Sequence, residues 1–451
     1  MRLPYGTVEV NPKTPSIFFR KHLSSEGLSQ KLKNRFKTID DSRYLPKVKI
    51  ALHDALMAGF AMFSLKIPSL LNLDESRLNP ARQANLKNLF GIKNIPSDTT
   101  MREILDEVNP ADIRPAFLDI FSSLQRGKIL DQYKFLDKYY LLSIDGTGYF
   151  TSDKIHCHSC LEKHHKATGK TTYHHQMLAA VMIHPDIKQV IPFCPEPIIK
   201  QDGEKKNDCE RNACARILKK INDDHPKLKL IIVEDGLASN APHIRDLKRF
   251  GMSFILGAKP GDHKFLFEEF QLAESRLKSL ILRDENFIHS FEYVNGLQLN
   301  ESSPDVTINF LQYIEFRSNK DPLTFSWVTD IEITDTNVYQ LMRGGRARWK
   351  IENETFNTLK NQGYEFEHNY GHGNNNLSTV LSFLMMLAFF VDQVQFLSSK
   401  IVQQAVIKVK RVREFFFKIR ALFDIFIFDS WADLYEVIAS GFFMKFPTNT
   451  S

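Results

Sequence analysis

Two apolar runs, YYLLSIDG and LKLIIVEDG, each close on an aspartate and a glycine, and their aspartates, Asp145 and Asp235, stand 90 residues apart. Runs so apolar and so short predict strands buried in a sheet. A carboxylate at the end of a buried strand is held rigidly by the sheet, yet sits at the edge that solvent and ligands reach, which suits a metal ligand. Asp-Gly is also ordinary turn chemistry, and one instance alone reads that way. Two strand-terminal instances in one sheet favour the ligand.

The pattern around those runs predicts a mixed sheet with helices packed on it, an α/β fold. HQMLAAVMIHPDIKQVIPF reads as two strands about a His-Pro-Asp turn, CERNACARILKKI and PHIRDLKRF as helices, and MSFILGAKPG as a further strand. Alternating pieces such as NFIHSFEYV, TINFLQYIEF and LTFSWVTDIEI predict a β-rich insertion over 267–337. Residues 1–130 read as helical with clustered basic side chains, RKHLSSEGLSQKLKNRFK being the most basic segment. Within IPSDTTMREILDEV, Thr100 and Glu103 predict a capping box that opens a helix. A short helix, a turn and a second capped helix fit a helix-turn-helix DNA reader and a plain helical bundle equally. Residues 396–451 also read as helical, with KVKRVREFFFKIR a basic amphipathic helix that either touches DNA backbone or covers a core.

RARWKIENETFNTLK carries two glutamates on one amphipathic helix. Advancing about 100° per residue from Glu352 puts Leu359 at about −20°, Phe356 at about +40° and Trp349 at about +60°, with Glu354 at about 200°. Glu352 then shares the apolar side and Glu354 faces water. A carboxylate on the buried side needs neutralising, by a metal or by a cation such as Arg348 one turn earlier. With Asp145 and Asp235 beside it, three carboxylates would repel one another strongly without divalent cations, and hard oxygen donors select Mg²⁺ or Mn²⁺. Asp330, which ends the strand in WVTD, is the substitute for Asp235.

IHCHSCLEKHH sets Cys157 and Cys160 at C-x₂-C spacing, and with His164 and His165 the four offer a Zn²⁺ site, although His174 and His175 could close a larger loop. The plain alternative is a polar hairpin rich in His and Cys. KNDCERNA reads as helix capping by Asn207 or Asp208 rather than as part of a reactive centre. The 15-residue apolar run LSTVLSFLMMLAFFV stops at Asp392, short of the ~20 needed to span a bilayer, and predicts a buried core helix. Five cysteines, an odd number, and no charged-then-apolar leader predict a cytosolic rather than a secreted, disulfide-built protein. With 59 basic and 53 acidic residues, a net charge of +6 makes any nucleic-acid surface a local patch.

SIDGTGYF, VEDGLASN and RWKIENETFNTLKNQGYEFEHNYGHG together resemble the DDE transposases of bacterial insertion sequences, specifically the group with a β-strand insertion before the catalytic glutamate. The resemblance spans roughly Tyr139 to Val391. It implies an RNase H-like core with Asp145, Asp235 and Glu352 as a catalytic triad that binds two metal ions, and the 117 residues from Asp235 to Glu352 leave room for the insertion. The regions are then a helical DNA-binding part at 1–130, the core at 131–266 and 338–395, the insertion between, and a helical region at 396–451. The group usually carries a tyrosine where this chain has Gly345, and a lysine at the position of Leu359, one before Lys360. Arg348 matches, and Arg348, Lys360 and Lys259 are the expected phosphate contacts. The implied function is metal-dependent cleavage at terminal inverted repeats followed by strand transfer into target DNA. The implied partners are double-stranded DNA and a second copy in a homodimer, at the bacterial nucleoid and without a membrane. A nuclease or resolvase without strand transfer, or an inactive DNA-binding descendant, are the alternatives.

Overall fold

The computed structural model describes residues 22–200, 209–318 and 320–443, and the backbone of three short strands before them. Helices come first. α1 (Ser25–Phe36) is capped by the Ser24 hydroxyl, which accepts from the Gly27 N–H, and α2 (Leu52–Ser64) is apolar almost throughout and buried accordingly. α3 (Pro80–Phe90) starts on Asn79 with proline in its first turn and stops at Gly91, whose left-handed backbone a glycine adopts at least cost. α4 (Asp98–Asp106) and α5 (Arg114–Arg126) complete the group. The cap of α4 is Ser97 rather than Thr100: Ser97 is extended and its hydroxyl accepts from the Thr100 N–H, so the helix opens three residues earlier than the Thr100/Glu103 capping box predicts. The basic side chains of α1 turn inward, Arg35 onto Asp119 at 2.6 Å, Lys31 onto the Asp119 carbonyl and Lys33 onto the Gly91 carbonyl.

The sheet follows. Its strands are β1 (Tyr139–Ser152), β2 (Leu161–His165), β3 (Lys170–His184), β4 (Ile187–Pro192), β5 (Leu230–Glu234) and β6 (Ser253–Gly257), with α6 (Glu210–Asp224) before β5 and α7 (Ala241–Arg249) after it. β4, β3 and β1 pair antiparallel, whereas β5 joins β1 and β6 joins β5 in parallel. The parallel strands are almost wholly buried, as covering helices on both faces require. β7 (Lys278–Arg283), β8 (Phe287–Gln298), β9 (Thr307–Arg317) and β10 (Lys320–Thr329) form an antiparallel meander, and because β10 pairs with β6 they extend the same sheet.

One strand end differs from expectation. Asp145 lies inside β1, not at its end, because the antiparallel ladder with β3 continues through Asp145↔Ala179 and Gly146↔Leu178. What stops is the parallel pairing with β5, whose last register is Ser143↔Val233. Asp145 therefore still stands just past the end of the parallel strands.

After β10 come α8 (Val338–Arg346), a stretch of wide π-helical turns over Ile351–Phe356, and a last turn of α-helix at Asn357–Asn361. α9 (Leu377–Ser398) is 22 residues long and apolar enough to cross a membrane, but it lies inside the protein against α2, α4, α5 and β4. It runs past Asp392, where the apolar stretch was expected to stop, because Lys66 meets that buried carboxylate at 2.7 Å and the Tyr364 hydroxyl donates to it. The Lys66 ammonium also sits 3.8 Å from the ring centres of both Tyr364 and Phe416. Removing one partner of such a pair costs about 3–5 kcal/mol. KVKRVREFFFKIR is not one helix: Lys410, at φ +71°, separates α10 (Lys400–Val409) from α11 (Val412–Ile425). With α12 (Trp431–Ser440), these return to the first helices, Asn85 donating to the Phe423 and Phe426 carbonyls and Ser25 meeting the Tyr435 hydroxyl at 3.0 Å. The two ends of the chain thus close into one helical body around α9.

Candidate functional site

Because β1 and β5 run parallel and in register, the positions two past Ser143 and Val233 place Asp145 beside Asp235. Asp145 accepts from the Gly146 N–H at 2.9 Å, and Asp235, leaving β5 into a short turn, accepts from the Leu237 N–H at 3.0 Å. Each carboxylate is thus oriented through one oxygen, Oδ1. Glu352 arrives from the π-helical stretch, and the Arg348 guanidinium bridges it to Asp145, at 2.9 Å from Glu352 and 3.6 Å from Asp145. All three acids are half-buried. The Asp145 carboxyl is raised to about 6, chiefly by burial, with Arg348 and the Gly146 N–H pulling it down and the negative charges of Glu352 and Asp235 adding to the rise. Three hard oxygen donors suit a divalent cation.

Glu354 is half-buried rather than fully exposed, and the charge it influences is Lys350, not Asp145. Trp349, expected on the apolar side, is 52% exposed with Arg348 over its ring at 5.2 Å. The 100° phase assumed a regular α-helix, and the wide turns that begin at Ile351 break that phase. Asp330 accepts from the Phe254 N–H at the start of β6, the opposite edge of the sheet from Asp235, so it is no substitute.

The cations divide. Lys259 is exposed and its stem lies along Gly236, next to Asp235, while Lys360 pairs with Glu367 at 2.7 Å. Gly345 accounts for its own departure from the expected tyrosine: a Cβ there would run into the Trp327 indole. Glu210, in the stretch KNDCERNA, lies against Gly146. Successive strand residues face opposite ways, so Glu210 meets β1 on the side away from Asp145. Asn207 and Asp208, the expected caps, fall outside the described residues; the residue before α6 is Cys209, with no side-chain cap bond.

The transposase DDE domain model matches residues 138–390. The chain is a DDE transposase. No curated protein matches it. The antiparallel-then-parallel sheet flanked by helices is the RNase H-like architecture of this family, whose members act on DNA as transposase-type nucleases and generally use divalent metal ions.

The Cys/His pairing differs from the one expected in this transposase. β2 and β3 form a hairpin in which His164 pairs with Thr171 and His165 with Lys170, so both histidines are carried to its tip, where they bond Thr171 and Thr172. Cys157 and Cys160 instead meet His175, from β3, and His372, from the loop before α9. His175 was visible as a distant possibility in the sequence. His372 was not, since 212 residues separate it from Cys160; the one signal was its place in the motif HNYGHG. A further group, Cys214, Glu234 and His243, is held together by a 2.6 Å contact between His243 and Glu234 on the other face of β5 from Asp235.

Proposed function

We propose that this transposase binds the terminal inverted repeats of its element, cuts DNA there, and joins the freed ends to target DNA, with Asp145, Asp235 and Glu352 as its catalytic triad. The observation that carries this reading is that Asp145 and Asp235 stand side by side just past the paired ends of the parallel strands, while Arg348 bridges Asp145 to Glu352. When bound, two Mg²⁺ or Mn²⁺ ions on these oxygens supply Lewis-acid stabilisation to the attacking and leaving oxygens of an in-line displacement at phosphorus. The sheet fixes Asp145 and Asp235, and their N–H contacts hold each carboxylate from one side. The planar Arg348 fork matches a phosphate as well as a carboxylate, so it orients the scissile phosphate at the triad. Lys259 adds an ammonium on the Asp235 side, and Lys360 a more distant one beyond Glu367. Cutting and joining differ only in the nucleophile, a water or a DNA 3′-OH, so one site serves both. Concerted joining needs both ends at once, which calls for a homodimer on paired DNA ends. On this reading the meander β7–β10 is the subgroup's insertion before the glutamate.

The test uses DNA carrying the repeats that flank the protein's own gene. Mg²⁺- or Mn²⁺-dependent cleavage, and transfer of pre-cut 3′-OH ends into a plasmid, are expected from the wild type and not from Asp145→Ala, Asp235→Ala or Glu352→Ala, while repeat binding persists. Cleavage without transfer makes the protein a nuclease; binding without cleavage makes it a regulator.

A further inference from the structure

We infer that Cys157, Cys160, His175 and His372 form a structural Zn²⁺ site that clips the loop after β1, together with β3, to the loop that follows the Glu352 helix. Cys160, His175 and His372 are 1%, 1% and 7% exposed, and Cys157 is half-buried. The four donor atoms all lie within 4.8 Å of one another. The two sulfurs are 3.8 Å apart, His175 Nε2 is 3.3 Å and 3.4 Å from Cys157 and Cys160, and His372 Nε2 is 3.4 Å from Cys160. With Zn–S of about 2.3 Å and Zn–N of about 2.0–2.1 Å, tetrahedral angles put two sulfurs about 3.8 Å apart and a sulfur and nitrogen about 3.5 Å apart. Four edges of that tetrahedron are in place.

The surroundings are those of a closed site. Tyr149, Phe150 and Phe366 wall the cluster, with the His372 ring 4.3 Å from that of Phe150 and Tyr149 packed on both His175 and Phe366. Both histidines turn Nε2 toward the thiols, and among the described residues their buried Nδ1 atoms have no hydrogen-bond partner. An ion at the centre would bind the two sulfurs and both Nε2 atoms, replacing weak thiol–imidazole contacts by coordination bonds. Cys157 N–H points at Cys160 Sγ at 3.4 Å, the turn that brings both sulfurs to one side. The Asp106 carboxylate holds His372's loop by accepting from the N–H groups of Asn374, Asn375, Asn376 and Leu377, and Gly373, at φ +67°, has no room for a Cβ beside it. Four protein donors leave no open position, so the ion has a structural task. It ties the β1–β2 loop and β3 to the segment between the Glu352 helix and α9, independently of any ions at the carboxylates.

The experiment measures metal content in the purified full-length protein by atomic emission, with zinc supplied during expression and excess removed. One zinc per chain is expected in the wild type, in Asp145→Asn, and in the double variant His164→Ala, His165→Ala; Cys160→Ser and His372→Ala are expected to lose it. Ligand variants can lose the fold, so wild-type protein reconstituted with Co²⁺ is read separately. Tetrahedral ligand-field bands with thiolate charge transfer are expected, unchanged in Asp145→Asn. Wild type that takes up neither metal, a Cys157–Cys160 disulfide in its place, zinc retained in full by Cys160→Ser or His372→Ala, or zinc lost with His164 and His165 would each overturn the site.

Discussion

The carboxylate cluster and the Cys/His cluster both border the same strand, β1, yet they are opposite kinds of site. Asp145 lies in the first half of β1, and Phe150, five residues on, walls the second cluster. The carboxylates stand half-buried at the end of the parallel strands, with hard oxygens and a guanidinium among them. The thiols and imidazoles stand in an aromatic pocket. An open, oxygen-lined site can exchange ions and admit a phosphate. A closed sulfur and nitrogen site can only hold a structure together.

That contrast predicts that damage to the two clusters separates activity from stability. The largest effect is expected at the carboxylates: Asp145→Ala, Asp235→Ala or Glu352→Ala lowers cleavage about a thousandfold or more, about 4 kcal/mol of barrier, with little change in melting temperature. Glu354→Ala stays within about threefold of the wild type; the reverse ranking of the two glutamates in a cleavage assay would place the wrong acid in the site. Cys160→Ser, or a zinc chelator on the wild type, is expected to cost about 3–5 kcal/mol in denaturant unfolding, and the chelator should do nothing further to the variant. If unfolding were unchanged and cleavage fell instead, the second cluster would be part of the reaction. Arg348→Ala is expected to lower cleavage about 10- to 100-fold, with Arg348→Lys restoring little because an ammonium lacks the planar fork. A full rescue by lysine would leave only its charge. Smallest is Gly345→Ala, which presses a methyl onto Trp327 and should cost about 1–3 kcal/mol of stability by calorimetry, with cleavage by the surviving fold retained.

The carboxylates were legible because each sits in a local signature: an apolar run ending in Asp-Gly, and a glutamate with an arginine four residues before it. The helical phase chose Glu352 over Glu354 and was right about Arg348, but it misplaced Trp349, since nothing in RARWKIENETF announces that the turns widen at Ile351. In the Cys/His cluster the pair at C-x₂-C spacing was legible and its partners were not. His164 and His165, four and five residues past Cys160, are carried to the tip of a hairpin instead, and hairpin register is fixed by pairing across the turn rather than by proximity along the chain.

By itself, then, the sequence determined the buried strands, the Asp-Gly pairs that follow their apolar runs and the amphipathic helices, because apolar periodicity and turn chemistry act over a few residues. Only the tertiary structure decided that β1 runs on through Asp145, that Trp327 leaves room for nothing larger than Gly345, and that His372 meets Cys160 across 212 residues. Those outcomes depend on which strands pair and how loops close onto one another, energies that are summed over the whole fold and written in no single stretch of the chain.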